Sequence, residues 1–163
     1  MYDDLQKHVT ARLGELRGEW VGRNSGYEDG LCNVLGFERE HKETRHWDAK
    51  WGPYTIELKK GKTGAWFDLV RYSEVLIERP DLNTPRNVIL VFITDASAKS
   101  ISGVIGVSAP ALIERLGIGN DDAKFLVQLN TKVPYEFNAQ AKLKVSDLRA
   151  ISSFNVGMLD DLL

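Results

Sequence analysis

Asp48, Glu57 and Lys59 are the residues in this sequence whose types and spacing can do chemistry. Gly52-Pro53 separates Asp48 from the run Tyr54-Thr55-Ile56-Glu57-Leu58-Lys59, which alternates apolar and polar side chains as a strand does. Tyr54, Ile56 and Leu58 are expected to face a core, and Thr55, Glu57 and Lys59 to face outward. A hairpin through Gly52-Pro53 brings Asp48 beside Glu57. Two carboxylates converging with one lysine cost electrostatic energy unless a further cation joins them. Mg²⁺ suits such a spot, because it takes one or two carboxylates and fills its remaining positions with waters and phosphate oxygens. The competing structural reading is a surface hairpin with an ordinary Glu–Lys pair, which contributes about 0.2–1 kcal/mol.

The elements that must hold these residues are legible around them. Leu5, Val9, Leu13, Leu16 and Trp20 form one apolar stripe, predicting an amphipathic helix over 2–21. Residues 23–36 read as a Gly- and Asn-rich loop with a short helix near 31–35. The charged run 38–46 reads as a solvated linker or an edge strand. Lys59-Lys60-Gly61-Lys62-Thr63-Gly64 is a basic, flexible connection and does not fit a P-loop. A helix is expected over 65–78, capped by Thr63 and stopped by Pro80. Residues 87–94 are apolar on both faces and predict a central buried strand. A second strand follows over 101–107, then a helix with Ser108 as its cap, Pro110 in its first turn and Gly117 past its end. Residues 125–129 read as a strand. Alternation returns at 142–145 with Lys142 and Lys144 outward, and a last helix starts at Ser146-Asp147. The tail 156–163 is apolar and acidic, suited to docking or self-association.

The order predicts an α/β domain over residues 1–163, built on a mixed β-sheet flanked by helices. At 163 residues, with 43% hydrophobic and 27% charged content, the chain is a single globular domain able to bury a core. A net charge of −2 argues against a protein that coats nucleic acid nonspecifically, though not against a site-specific enzyme with local positive charge. No apolar run is long enough to span a bilayer and no signal-peptide core is present, so no membrane partner is expected. Cys32 alone excludes an internal disulfide and fits a reducing cytoplasm. Cys32, His41 and His46 match no standard zinc spacing, and no Ser–His–Asp order or paired Cys suggests a covalent nucleophile.

Asp48 followed by Glu57-Leu58-Lys59 resembles the active-site motif of the PD-(D/E)XK nuclease superfamily, and within it the type II restriction endonucleases. Trp47 stands where the motif usually has proline. The resemblance implies a restriction-endonuclease-like core over roughly residues 1–130, with the motif strand followed by an amphipathic helix. It implies hydrolysis of phosphodiester bonds in double-stranded DNA, with Mg²⁺ held by Asp48, Glu57 and the carbonyl of Leu58. Lys59 would hold or help deprotonate the attacking water and stabilise the transition state. In this family an N-terminal helix often adds another acidic residue, for which Glu15 and Glu19 are the candidates. Arg45, His46, Lys60, Lys62 and Arg86 are the candidate DNA contacts, with Lys99 and the loop Asn83-Thr84-Pro85-Arg86 further possibilities for base reading. Thr55 shares the Glu57 face and could orient a phosphate. A small nuclease would reach both strands as a homodimer on a palindrome. Two alternatives remain: a junction or repair nuclease that reads DNA shape, and a nuclease-fold module that binds without cutting.

Overall fold

The computed structural model describes residues 1–16, 27–40, 46–94, 100–132 and 139–157. In chain order these form α1 (Asp3–Leu16), α2 (Tyr27–Leu35), β1 (Glu38–Arg39), β2 (Ala49–Trp51), β3 (Tyr54–Gly61) and β4 (Gly64–Asp68). Then come α3 (Leu69–Ile77), a 3₁₀ turn (Pro80–Leu82), β5 (Asn87–Thr94), β6 (Ile101–Ser108) and α4 (Ala109–Leu116). The chain ends with α5 (Asn120–Lys132), β7 (Gln140–Lys144), α6 (Val145–Ala150) and β8 (Phe154–Gly157).

β5 is buried along its whole length because both of its faces pack. Val88, Leu90 and Phe92 join Leu5, Val9, Leu31 and Leu35 of α1 and α2 in one core. Ile89, Val91 and Ile93 join Tyr72, Val75, Leu112 and Leu148 of the helices α3, α4 and α6 in a second core on the other face. The six-stranded sheet runs β1-β2-β3-β5-β6-β8. β3 and β5 are parallel and every other pair is antiparallel. α3 and the 3₁₀ turn lie in the crossover between β3 and β5. The fold is therefore α/β with a mixed sheet flanked by helices, as its order of elements predicted. Among the described residues no helix is long and apolar enough to cross a membrane.

Several elements differ from the sequence expectation, each for a physical reason. Residues 64–68 are strand rather than helix because they pair with β7, burying Ala65 and Phe67 and leaving Trp66 outside. The α3 cap is accordingly Asp68, whose carboxylate accepts from Val70 N–H at 2.9 Å, and not Thr63. Residues 125–129 lie inside α5, which has Asp121 and Asp122 in its first turn and Lys132 in its last, charges that complement the helix dipole. That helix buries only Ala123, and Phe125 is 63% exposed, so the apolar run never becomes a core strand. α2 is longer than expected, and α1 ends at Leu16; Trp20 lies outside the described residues, as does the tail from 158 onward.

The basic connection after the motif is tight rather than flexible. A Cβ on Gly61 would lie 1.8 Å from the Gly64 carbonyl oxygen, and one on Gly64 would lie 2.0 Å from that of Leu143. Only glycine permits this approach of three backbone segments.

By contrast, α4 follows its sequence signals closely. Ser108 caps it through Ala111 N–H, Pro110 lies in the first turn, and Gly117 closes it with φ 69°.

Candidate active site

Asp48 is positioned by the β2–β3 hairpin. The strands pair Ala49 with Ile56 and Trp51 with Tyr54, and Gly52 turns the chain with φ 56°. Asp48 N–H donates to the Ile56 carbonyl at 2.8 Å, and Leu58 N–H donates to Asp48 Oδ2 at 2.8 Å. Burial lifts the Asp48 carboxyl above its ordinary pKa; Leu58 N–H works against the rise, and the neighbouring Glu57 charge adds to it. The hairpin thus brings Asp48 and Glu57 together as the spacing predicted. Trp47, in the motif's proline position, packs against the second core, with Lys50 Nζ 5.4 Å and Arg79 Cζ 5.8 Å from its ring centre.

The outward placement of Glu57 is corrected by the fold. The polar face of β3 is covered by α3, and Glu57 is only 2% exposed. Its Oε1 accepts from Arg71 Nη1 at 2.6 Å and lies 3.7 Å from Lys59 Nζ. Its Oε2 accepts from the hydroxyl of Tyr72, which is itself buried. Burial, reinforced by Glu57, pushes the Tyr72 phenol well above its ordinary pKa, so it remains a proton donor. Burial opposes the Arg71 charge, but Glu57, with Tyr72 and Asp48, outweighs it and raises the guanidinium pKa. Lys59 is partly exposed, with Nζ 5.9 Å from the Phe67 ring centre.

An acidic residue does approach from an N-terminal helix, and it is Glu28 of α2. Burial raises its carboxyl pKa, with Asp48 contributing in the same direction. Arg39 Nη2 holds it at 2.8 Å, and Arg39 Nη1 also donates to the Asp48 carbonyl at 2.7 Å. Tyr27, one residue earlier, donates its hydroxyl to the Leu58 carbonyl at 3.4 Å. The Glu15 side chain and Glu19 lie outside the described residues.

The remaining expected contacts scatter. His46 is largely buried, with Nε2 3.9 Å from Glu74 Oε2 on α3, so it turns into the protein. Thr55 donates to Asn87 Oδ1 at 3.0 Å and braces the start of β5 rather than a ligand. Lys60 lies on the opposite face of β3, with Nζ 4.7 Å from the Tyr27 ring centre. Lys62 and Arg86 are exposed. Arg45 and Lys99 lie outside the described residues, as does His41. Cys32 is buried, and burial pushes its thiol up to about 11.

Asp48 and Glu57 offer carboxylate oxygens and the Leu58 carbonyl directly follows Glu57 in sequence, a donor set suited to a hard divalent cation. No cluster of three His, Cys, Asp or Glu able to enclose a metal occurs among the described residues. A cation that keeps several waters needs only the pair. Sequence reasoning missed Glu28, Arg71 and Tyr72. For the last two the available signal was Asp68, which as a cap would have started α3 in the right place. No protein-family model matches this chain, and no curated protein matches it.

Proposed function

We propose that this chain is a Mg²⁺-dependent endodeoxyribonuclease with a restriction-endonuclease-like core, cutting double-stranded DNA at specific sites as a homodimer. One observation carries the reading: Asp48 and Glu57 meet across a tight hairpin, with Lys59 Nζ 3.7 Å from Glu57 on the same strand. When bound, Mg²⁺ supplies a Lewis acid that polarises the phosphate and lowers the pKa of a bound water. Asp48 and Glu57 would hold it, with the Leu58 carbonyl as a further oxygen donor.

The chain's own groups account for the rest of the chemistry. Lys59 is partly exposed, and its ammonium would hold the attacking water and stabilise charge gathering on the phosphate oxygens. Tyr72 fixes Glu57 Oε2, leaving Oε1 to be shared between Arg71 and an incoming cation. Arg71 neutralises Glu57 in the arrangement seen here.

Complete pairing of Glu57 by Arg71 and Tyr72 also favours a second reading, a nuclease-fold module that binds nucleic acid without cutting. Incubating the protein with a large plasmid and Mg²⁺ separates the two. Discrete fragments that disappear in Asp48→Asn support a site-specific nuclease, and a smear supports a nonspecific one. Intact plasmid under all conditions supports the binding module.

A further inference from the structure

β4 and β7 form a separate two-stranded ribbon whose outer face carries an exposed tryptophan beside lysines. Register places Trp66 opposite Lys142, and Gly64 opposite Lys144. Ala65, Phe67 and Leu143 are buried beneath, while Trp66 is 56% exposed. Lys142 and Lys144 are exposed as well, as is Lys62 in the turn that begins the ribbon. Lys142 Nζ is directed toward that turn by its 3.0 Å bond to Thr63 Oγ1. The acidic side chain on this rung series, Asp68, accepts the Val70 N–H as the α3 cap.

We propose that this ribbon binds an unpaired DNA strand, with a base stacked on Trp66 and phosphates on Lys142, Lys144 and Lys62. A flat aromatic ring on a sheet face matches the π-face of any base, and flanking lysines match the backbone charge. A base inside a duplex is already stacked on both sides and offers no such face. The ribbon follows β3 directly, and Phe67, the neighbour of Trp66, places its ring 5.9 Å from Lys59 Nζ on the inner side. The inner face of the ribbon therefore borders the candidate cutting centre, while a strand held on Trp66 lies on its outer face. The inference rests on the proposed nuclease reading for what the bound strand is for, and it adds to that reading's duplex substrate an unpaired segment for the ribbon to hold.

The test is fluorescence anisotropy in chelator, using a labelled oligothymidylate of about twelve nucleotides and a blunt duplex of the same length. Wild type should bind the single strand, and Trp66→Ala should weaken it about tenfold while changing the duplex less than about twofold. Trp66→Phe, which keeps a ring, should recover most of the loss. Lys142→Ala should weaken both ligands and reduce the salt slope by about 0.7–0.9.

Three results overturn the proposal. These are no single-strand binding by wild type, single-strand binding by Trp66→Ala equal to wild type, and equal losses on strand and duplex in Trp66→Ala. A change in sedimentation of Trp66→Ala without any change in strand binding would instead assign the ribbon to contacts between copies of this chain.

Mg²⁺-dependent cleavage by wild type is scored separately. Trp66-dependent binding without cleavage keeps the ribbon and removes the nuclease reading, and cleavage with Trp66-independent binding does the reverse.

Discussion

Glu57 shows how a residue can be legible by type and illegible by environment. Its spacing from Asp48 and Lys59 was enough to single it out, because a strand period and a two-residue turn fix which side chains meet. Its partners Arg71 and Tyr72 come from a helix whose start depends on a strand pairing far along the chain, so local pattern could not place them. Tyr72→Phe removes one donor from a buried carboxylate while keeping the packing. It should cost about 1.5–3 kcal/mol in urea unfolding, the range for a hydrogen bond to a charged group, and should also weaken Mg²⁺ binding. Burial raises the carboxyl pKa of Asp48 and of Glu28. The folded chain then holds these protons more tightly than the unfolded chain, so this contribution to stability grows as pH falls through the raised values and is lost as pH rises above them. Asp48→Asn should therefore raise the thermal midpoint at neutral pH, and the gain should shrink as the pH approaches the ordinary carboxylate range. A mutant stabilised equally at all pH values would show that Asp48 is not held in this way.

Elements were legible where their signals were local and failed where tertiary pairing decided. β5 could be read because its six consecutive apolar residues, Val88 to Ile93, fit a strand buried on both faces. α4 could be read because Ser108, Pro110 and Gly117 each have a positional role in its ends. The stretch 64–68 could not, since Ala-Trp-Phe-Asp suits a helix start as well as a strand, and only β7 selects the strand. The same pairing makes Gly64 sensitive. Gly64→Ala puts a methyl 2.0 Å from the Leu143 carbonyl oxygen, so the ribbon must separate from its neighbour. We expect a loss of about 1–3 kcal/mol in urea unfolding, as for other overpacking changes. Stability equal to wild type would mean that the ribbon is not seated as described.

For the whole molecule, a mixed sheet carries two cores, and β3 with its hairpin partner brings Asp48, Glu57 and Lys59 together under α3. On the proposed reading, one such group per chain would cut one strand, so double-strand cleavage would call for a homodimer. Sedimentation at micromolar protein should show it with DNA present, and a monomer under all conditions would turn the account toward a nicking enzyme. The central claim is that this group is a metal-dependent cutting centre, and single-turnover cleavage by Lys59→Ala at saturating enzyme tests it most directly. Both carboxylates of the proposed metal pair remain in that variant, so DNA binding should persist while the rate falls by orders of magnitude. Cleavage within about tenfold of wild type, a barrier change of only ~1.4 kcal/mol, would contradict the assignment.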